Sequence, residues 1–177
     1  MSQAASEAIA LHNVAFSYAD SPDILHDVSL TINEGERVGL IGHNGCGKTT
    51  LFMLICGLLT PNTGSINLFG QPVQPNQVRP EVGFLFQDPE DQLFSPSVWD
   101  DVAFGPQNLG LPEMEVTARV KAALELTGIT ALAHRAPHHL SGGEKQMVAI
   151  AGLLSMMPRV VLYDEPTTGL DPIRSDL

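Results

Sequence analysis

The chain has 177 residues and is 44% hydrophobic, enough for one domain to bury a core without disulfide or metal staples. Its net charge of −11 disfavours a nucleic-acid backbone or an anionic lipid surface as the main partner. No apolar run approaches the ~18 residues of a membrane span, Met1–Ala8 lacks the pattern of a secretory signal, and Cys46 and Cys56 make no disulfide framework or metal cluster, so a soluble protein of a reducing compartment is expected.

Strands are expected at Leu11–Phe16 and at Val28–Ile32, where Val28, Leu30 and Ile32 alternate with polar residues. Asn33–Gly35 is a turn, and Arg37–Ile41 reads as a strand buried on both faces. A glycine-rich stretch, Gly42–Gly47, leads into a helix from about Lys48 to Leu59. Ser65–Phe69 is a further strand, and the proline-rich segment to Pro80 reads as loop. Val82–Phe86 is an apolar run ending at Gln87. The pattern then turns helical to about Met157. Pro112 suits a helix start, Glu113 and Glu115 its first turn, and Val116, Val120 and Leu124 recur on one face. Arg159–Tyr163 is the last strand. The outline is α/β with a mainly helical insert over residues 88–157.

Three motifs carry chemistry. Gly42, His43, Asn44, Gly45, Cys46, Gly47, Lys48, Thr49 and Thr50 fit G-x-x-x-x-G-K-[ST], between an apolar run and a helix. Glycines let successive N–H groups turn toward phosphate oxygens, and the helix N-terminus adds positive potential. Lys48 would meet the β- and γ-phosphates, and the Thr49 hydroxyl would meet Mg²⁺. The plainer reading is a glycine turn capping a helix. Val160–Tyr163 then delivers Asp164 and Glu165 to a strand's C-terminal end, where open α/β sheets place ligands. Asp164 suits Mg²⁺, and Glu165 suits a base polarising an attacking water. Alone, such a pair is more often a surface turn. Leu140-Ser-Gly-Gly-Glu144 opens a helix with Ser141 as a good N-cap, 23 residues before Asp164.

In this order the motifs resemble the nucleotide-binding subunit of an ATP-binding cassette transporter, over essentially the whole chain. The resemblance implies a P-loop NTPase with a parallel core sheet, N-terminal antiparallel strands and a helical subdomain. Residues 1–177 would form one cassette: 1–87 the β subdomain and P-loop core, 88–157 the helical signature subdomain, 158–177 the carboxylate strand and following loop. Tyr18 takes the place of the aromatic that stacks on adenine. Gln87 takes that of the glutamine reaching Mg²⁺ and the water. Thr168–Asp171 resembles the loop contacting the opposite subunit. Two ATPase subunits, identical or paralogous, would face head to tail, with Ser141, Gly142 and Gly143 serving the partner's ATP and Glu165 activating water.

The stretch from Gln87 to Pro106 looks like the energy-coupling-factor branch, including its cobalt and nickel importers. There, paired ATPases sit beneath a membrane protein, which implies a peripheral place on the cytoplasmic face of the membrane. Half of the chain's ten aromatic residues fall near this stretch: Phe84, Phe86, Phe94, Trp99 and Phe104. They are read as core, or as a groove over residues 84–104 for a transporter helix. Alternatives are a truncated remnant that docks without efficient hydrolysis, and a non-transport cassette protein acting on DNA or ribosomes. The acidic balance opposes the latter. The transported substrate is not written in this chain, because it would bind the membrane partner.

The chain also departs from the family. Six residues follow Asp171 and none is histidine, whereas the family adds a helix, a strand and a histidine facing the γ-phosphate. The C-terminal part of the core is therefore expected to be missing and hydrolysis impaired. Met147 stands where arginine is common. His138 and His139 invite a metal reading that adjacent side chains rarely satisfy. Cys46 lies at a helix start, where thiols are often reactive, although it can equally be an inert small residue. Alkylation of Cys46 should block ATP binding, and Mg-ATP should protect it. Equal labelling with and without Mg-ATP, measured by peptide mass spectrometry, would exclude this role.

Overall fold

The computed structural model describes residues 6–75, 77 and 79–164, with Ser21 and Pro22 described by backbone alone. The chain divides into two compact units, residues 1–79 and 80–177.

The first unit is built on an antiparallel sheet. β1 (Glu7–Tyr18) and β2 (Ser21–Asn33) form a hairpin across Ala19–Asp20. Both strands run longer than the sequence pattern predicts, because they continue pairing through bulges. At one bulge Asn13 takes a φ of +49°, its backbone N–H donates to Ser29 Oγ at 3.0 Å, and its amide donates to Asp27 Oδ1 at 2.6 Å. These bonds satisfy groups that the ladder leaves open. β3 (Thr63–Leu68) pairs with the other edge of β1, and β4 (Gln71–Pro72) with β3, giving the order β2-β1-β3-β4. β1 is thus an inner strand, and Ala8, Ile9, Ala10, Leu11 and Val14 are buried. Beyond β2, the backbone and side-chain N–H groups of Asn33 donate to Glu36 at 2.9 and 3.0 Å, which holds that carboxyl below its ordinary range.

α1 (Lys48–Ile55) buries Leu51, Leu54 and Ile55. It stops short of the expected Leu59 because Gly57 turns the chain at φ +74° and Leu58 N–H bonds back to Met53 O. One expectation fails. Arg37–Ile41 is not a strand: residues 36–43 pair in no ladder among the described residues, and Ile41 is 96% exposed. An apolar run becomes a strand only where a neighbour completes its hydrogen bonds, and no described strand pairs with this one.

The second unit holds β5 (Val82–Leu85), α2 (Val98–Asn108), α3 (Glu113–Leu126), α4 (Gly142–Ser155) and β6 (Val160–Tyr163). β5 and β6 are parallel, as their near-continuous apolar character predicts. α2 to α4 close on one core of Val98, Val102, Val116, Val120, Leu124, Val148 and Ala151. The face of α3 is the one its four-residue spacing predicts, with Pro112 at the N-cap rather than inside the helix. Leu85 packs with Ala149 and Leu153 of α4, and Gly83 lets the two elements approach: a Cβ there would stand 2.8 Å from Leu153 Cγ.

Gly64 has a φ of +84°, and a Cβ at this position would press on the backbone oxygens of His12 and Asn13. Gly35 has a similar φ of +80° but open space around it. Gly35→Ala should therefore cost about 1 kcal/mol and Gly64→Ala more than about 2 kcal/mol, read from urea midpoints. Leu124→Ala, which empties the helical core, should cost about 2–5 kcal/mol by the same measure.

Candidate functional site

In the first unit the Gly42–Thr50 segment forms a tight curl. Gly45 and Gly47 take φ values of +79° and +94°, the left-handed region that the motif reserves for glycine. Gly47 is required twice over. A Cβ there would lie 3.0 Å from Leu25 Cδ2 and 3.2 Å from Ile24 O of β2. No side chain caps α1, and its first turn has no acidic residue. The positive end of the helix dipole therefore faces the curl without a competing carboxylate.

The Lys48 ammonium donates to Gly42 O at 3.0 Å and to His43 O at 3.1 Å, so it lies within the curl. A Cβ on Gly42 would stand 2.5 Å from the half-buried Cys46 Sγ, so that sulfur covers the Gly42 backbone. Thr49 is exposed, and Thr50 is buried. The His43 ring contacts Asn44 O through Nδ1 at 3.0 Å. Tyr18, at the end of β1, brings its hydroxyl within 3.3 Å of Thr50 Oγ1, and the Phe16 ring meets it edge-on. Tyr18 remains 41% exposed, so part of its ring is open to a ligand.

In the second unit the parallel pairing does the positioning. Leu85 is opposite Tyr163, and Asp164 N–H donates to Leu85 O at 3.1 Å. Gln87 and Asp164 therefore leave the C-terminal ends of adjacent parallel strands, the edge where such sheets hold ligands. Asp164 is buried and Gln87 is exposed. Glu165, Thr168 and Asp171 lie outside the described residues.

Ser141 caps α4 in a full capping box. Its N–H and hydroxyl both donate to Glu144 Oε2 at 2.8 Å, and Glu144 N–H donates back to Ser141 Oγ. The Ser-x-x-Glu spacing carries this signal in the sequence. Nothing stands within 4 Å of a Cβ placed on Gly142 or Gly143, so these backbones are open. Met147 packs against the helical core. The exposed rings of His138 and His139 meet edge-on, with centroids 4.1 Å apart.

The aromatic stretch divides. Trp99 packs on the helical core, while Phe94 and Phe104 are 66% and 46% exposed and touch edge-to-face. With Phe84, Met156 and Asp101 they line a cleft of about 190 Å³. Asp101 Oδ1 accepts the N–H groups of Phe94 and Ser95, and its Oδ2 is buried without a hydrogen-bond partner. Asp101 carries no sequence signal that separates it from an ordinary first-turn acid.

Residues 25–168 match the ABC transporter family. The chain belongs to that family. A relative from Synechocystis sp. is 58% identical over 164 residues, covering 93% of this chain and 58% of the relative. The energy-coupling factor transporter ATP-binding protein EcfA of Methanothermobacter thermautotrophicus is 50% identical over 173 residues, covering 95% of this chain and 56% of that protein. This ABC transporter chain thus spans a little over half the length of those relatives. The solved structure of cbiO1 from Clostridium perfringens, part of the ABC transporter complex cbiONQ, aligns with a TM-score of 0.84 at 41% identity, over 95% of this chain and 69% of that one. The fold expected from the motifs is therefore that of the family.

Burial pushes the Cys56 thiol up to about 12. The folded state then holds the proton between the ordinary thiol value and about 12, so the stabilisation is complete below ~8.5 and is lost as pH rises through that window. Iodoacetamide at pH 8 should modify Cys46 and leave Cys56, with Cys56 reacting only as the pH approaches that upper value. Peptide mass spectrometry across the pH range checks this.

Proposed function

We propose that this chain is the ATP-binding and ATP-hydrolysing subunit of an energy-coupling-factor type membrane importer. The observation that carries the reading is the Gly42–Thr50 curl, with Lys48 inside it and an uncapped, acid-free helix start behind it. The relatives named EcfA and the neighbour from the cbiONQ complex supply the transporter context. The transported ion or vitamin, with cobalt or nickel as the first candidates, is the membrane partner's to select.

In this reading the curl's backbone N–H groups and Lys48 bind the triphosphate, and Tyr18 stacks on adenine. The Thr49 hydroxyl, the Gln87 amide and the Asp164 carboxylate are hard oxygen donors that fit Mg²⁺. When bound, that ion neutralises charge on the β- and γ-phosphate oxygens. Glu165 takes the role of base toward water. Ser141 and the open Gly142–Gly143 backbone serve the nucleotide of a second ATPase subunit, identical or paralogous. The Phe94–Phe104 cleft, with its buried Asp101 oxygen, receives a helix of the transmembrane partner. Among the described residues no helix is long and apolar enough to cross a membrane; the peripheral place on the cytoplasmic face belongs to the importer reading.

A second reading, nucleotide binding without efficient turnover, is favoured by Arg37–Ile41, which pairs in no ladder among the described residues. A loop entered from an unladdered segment is held less rigidly, and phosphoryl transfer depends on positioning.

Mg-ATP at a hundredfold excess over its Kd should stabilise the chain by about 2.7 kcal/mol, a shift of several degrees in Tm. Lys48→Ala should abolish the shift. A Tm unmoved by Mg-ATP would overturn both readings. A shift without phosphate release in a malachite-green assay would select the second.

A further inference from the structure

We infer that the Lys145–Glu90 ion pair couples the segment carrying Gln87 to the start of the Ser141 helix, so that the two elements move as one body. Lys145 lies in the second turn of α4, and its side chain is only 17% exposed. A lysine held this far from water gives up rotamer freedom, and something must hold it there. Its Nζ meets Glu90 Oε1, 55 residues away in sequence.

Each partner is tied to a candidate nucleotide-contacting group. On the α4 side, Lys145 N–H donates to Ser141 O at 2.9 Å, so the lysine sits one turn beyond Ser141, directly after Glu144 of the capping box. On the other side, Glu90 belongs to the single helical turn Pro89–Asp91, and Asp88 Oδ1 accepts its N–H at 2.9 Å. Two residues further on, Gln92 clamps the end of β5. Its Nε2 donates to Phe84 O at 3.1 Å, and its Oε1 accepts Phe86 N–H at 3.3 Å. Gln87 is therefore bracketed by a clamp on β5 and by an ion pair to α4.

Glu90 and Lys145 are positioning residues: they act through Gln87 and Ser141 rather than on a ligand. The Glu90 side chain is 67% exposed, so the pair biases local opening modestly and is sensitive to salt. The nucleotide meaning of the coupling rests on the function proposed above; the coupling itself does not.

The test is hydrogen–deuterium exchange of the 177-residue chain at ~0.05 M and ~1 M NaCl, with and without Mg-ATP. Lys145→Met and Glu90→Gln should each speed exchange at residues 88–92 and 142–146 together, by about three- to fivefold, and leave α3 unchanged. Lys145→Arg should keep the original pattern, and high salt should reproduce the loss in the unsubstituted chain. If the single variants prove unstable, Glu90→Lys combined with Lys145→Glu restores the pair and should restore joint protection. Exchange that changes on one side only, or an effect indifferent to salt, overturns the coupling. Joint exchange with no Mg-ATP protection at either segment supports the coupling and overturns the nucleotide reading.

Discussion

Backbone hydrogen bonding governs what this chain can build. A buried N–H or C=O without a partner costs about 1–3 kcal/mol, so apolar runs become strands only beside neighbours. β1 has β2 on one edge and β3 on the other, and its residues are among the most buried in the chain. β5 and β6 pair with each other and bury Leu85 and Leu162. Arg37–Ile41 carries Val38, Leu40 and Ile41 but has no described ladder, and its side chains lie open to water.

Glycine works within the same constraint where backbones must come close. Gly47 permits both the left-handed turn and the close approach to Ile24 and Leu25 that seats the glycine-rich curl on β2. Gly83 lets β5 lie directly on α4. The first glycine shapes a candidate ligand site, and the second holds the strand that leads to Gln87. Neither role needs a side chain, and a methyl group at either position would meet atoms already in place.

Electrostatics here is local rather than global. A chain of net charge −11 repels a triphosphate at long range. In the proposed reading the attraction comes from backbone dipoles at the start of α1 and from Lys48. Lysine is scarce, and two of the three lysines sit at constrained places, Lys48 in the loop and Lys145 against Glu90. At Ser141, Glu144 accepts the Ser141 N–H and hydroxyl, and the Gly142 and Gly143 backbone stays open at that helix start.

The glycine-rich loop before α1, the Ser141 cap and the face of α3 were legible in the sequence, because each is local: a glycine spacing, an N-cap, a four-residue apolar repeat. Residue type alone decides whether Gly45 and Gly47 can turn left-handed and whether Val116, Val120 and Leu124 share a stripe. The tertiary structure decided what depends on partners distant in the chain. It left Arg37–Ile41 without a ladder among the described residues, extended β1 and β2 through bulges, set Phe94 and Phe104 outward while turning Trp99 inward, and joined Lys145 to Glu90. Local chemistry is written residue by residue. Pairing and burial belong to two segments at once, and neither segment alone specifies which neighbour it will meet.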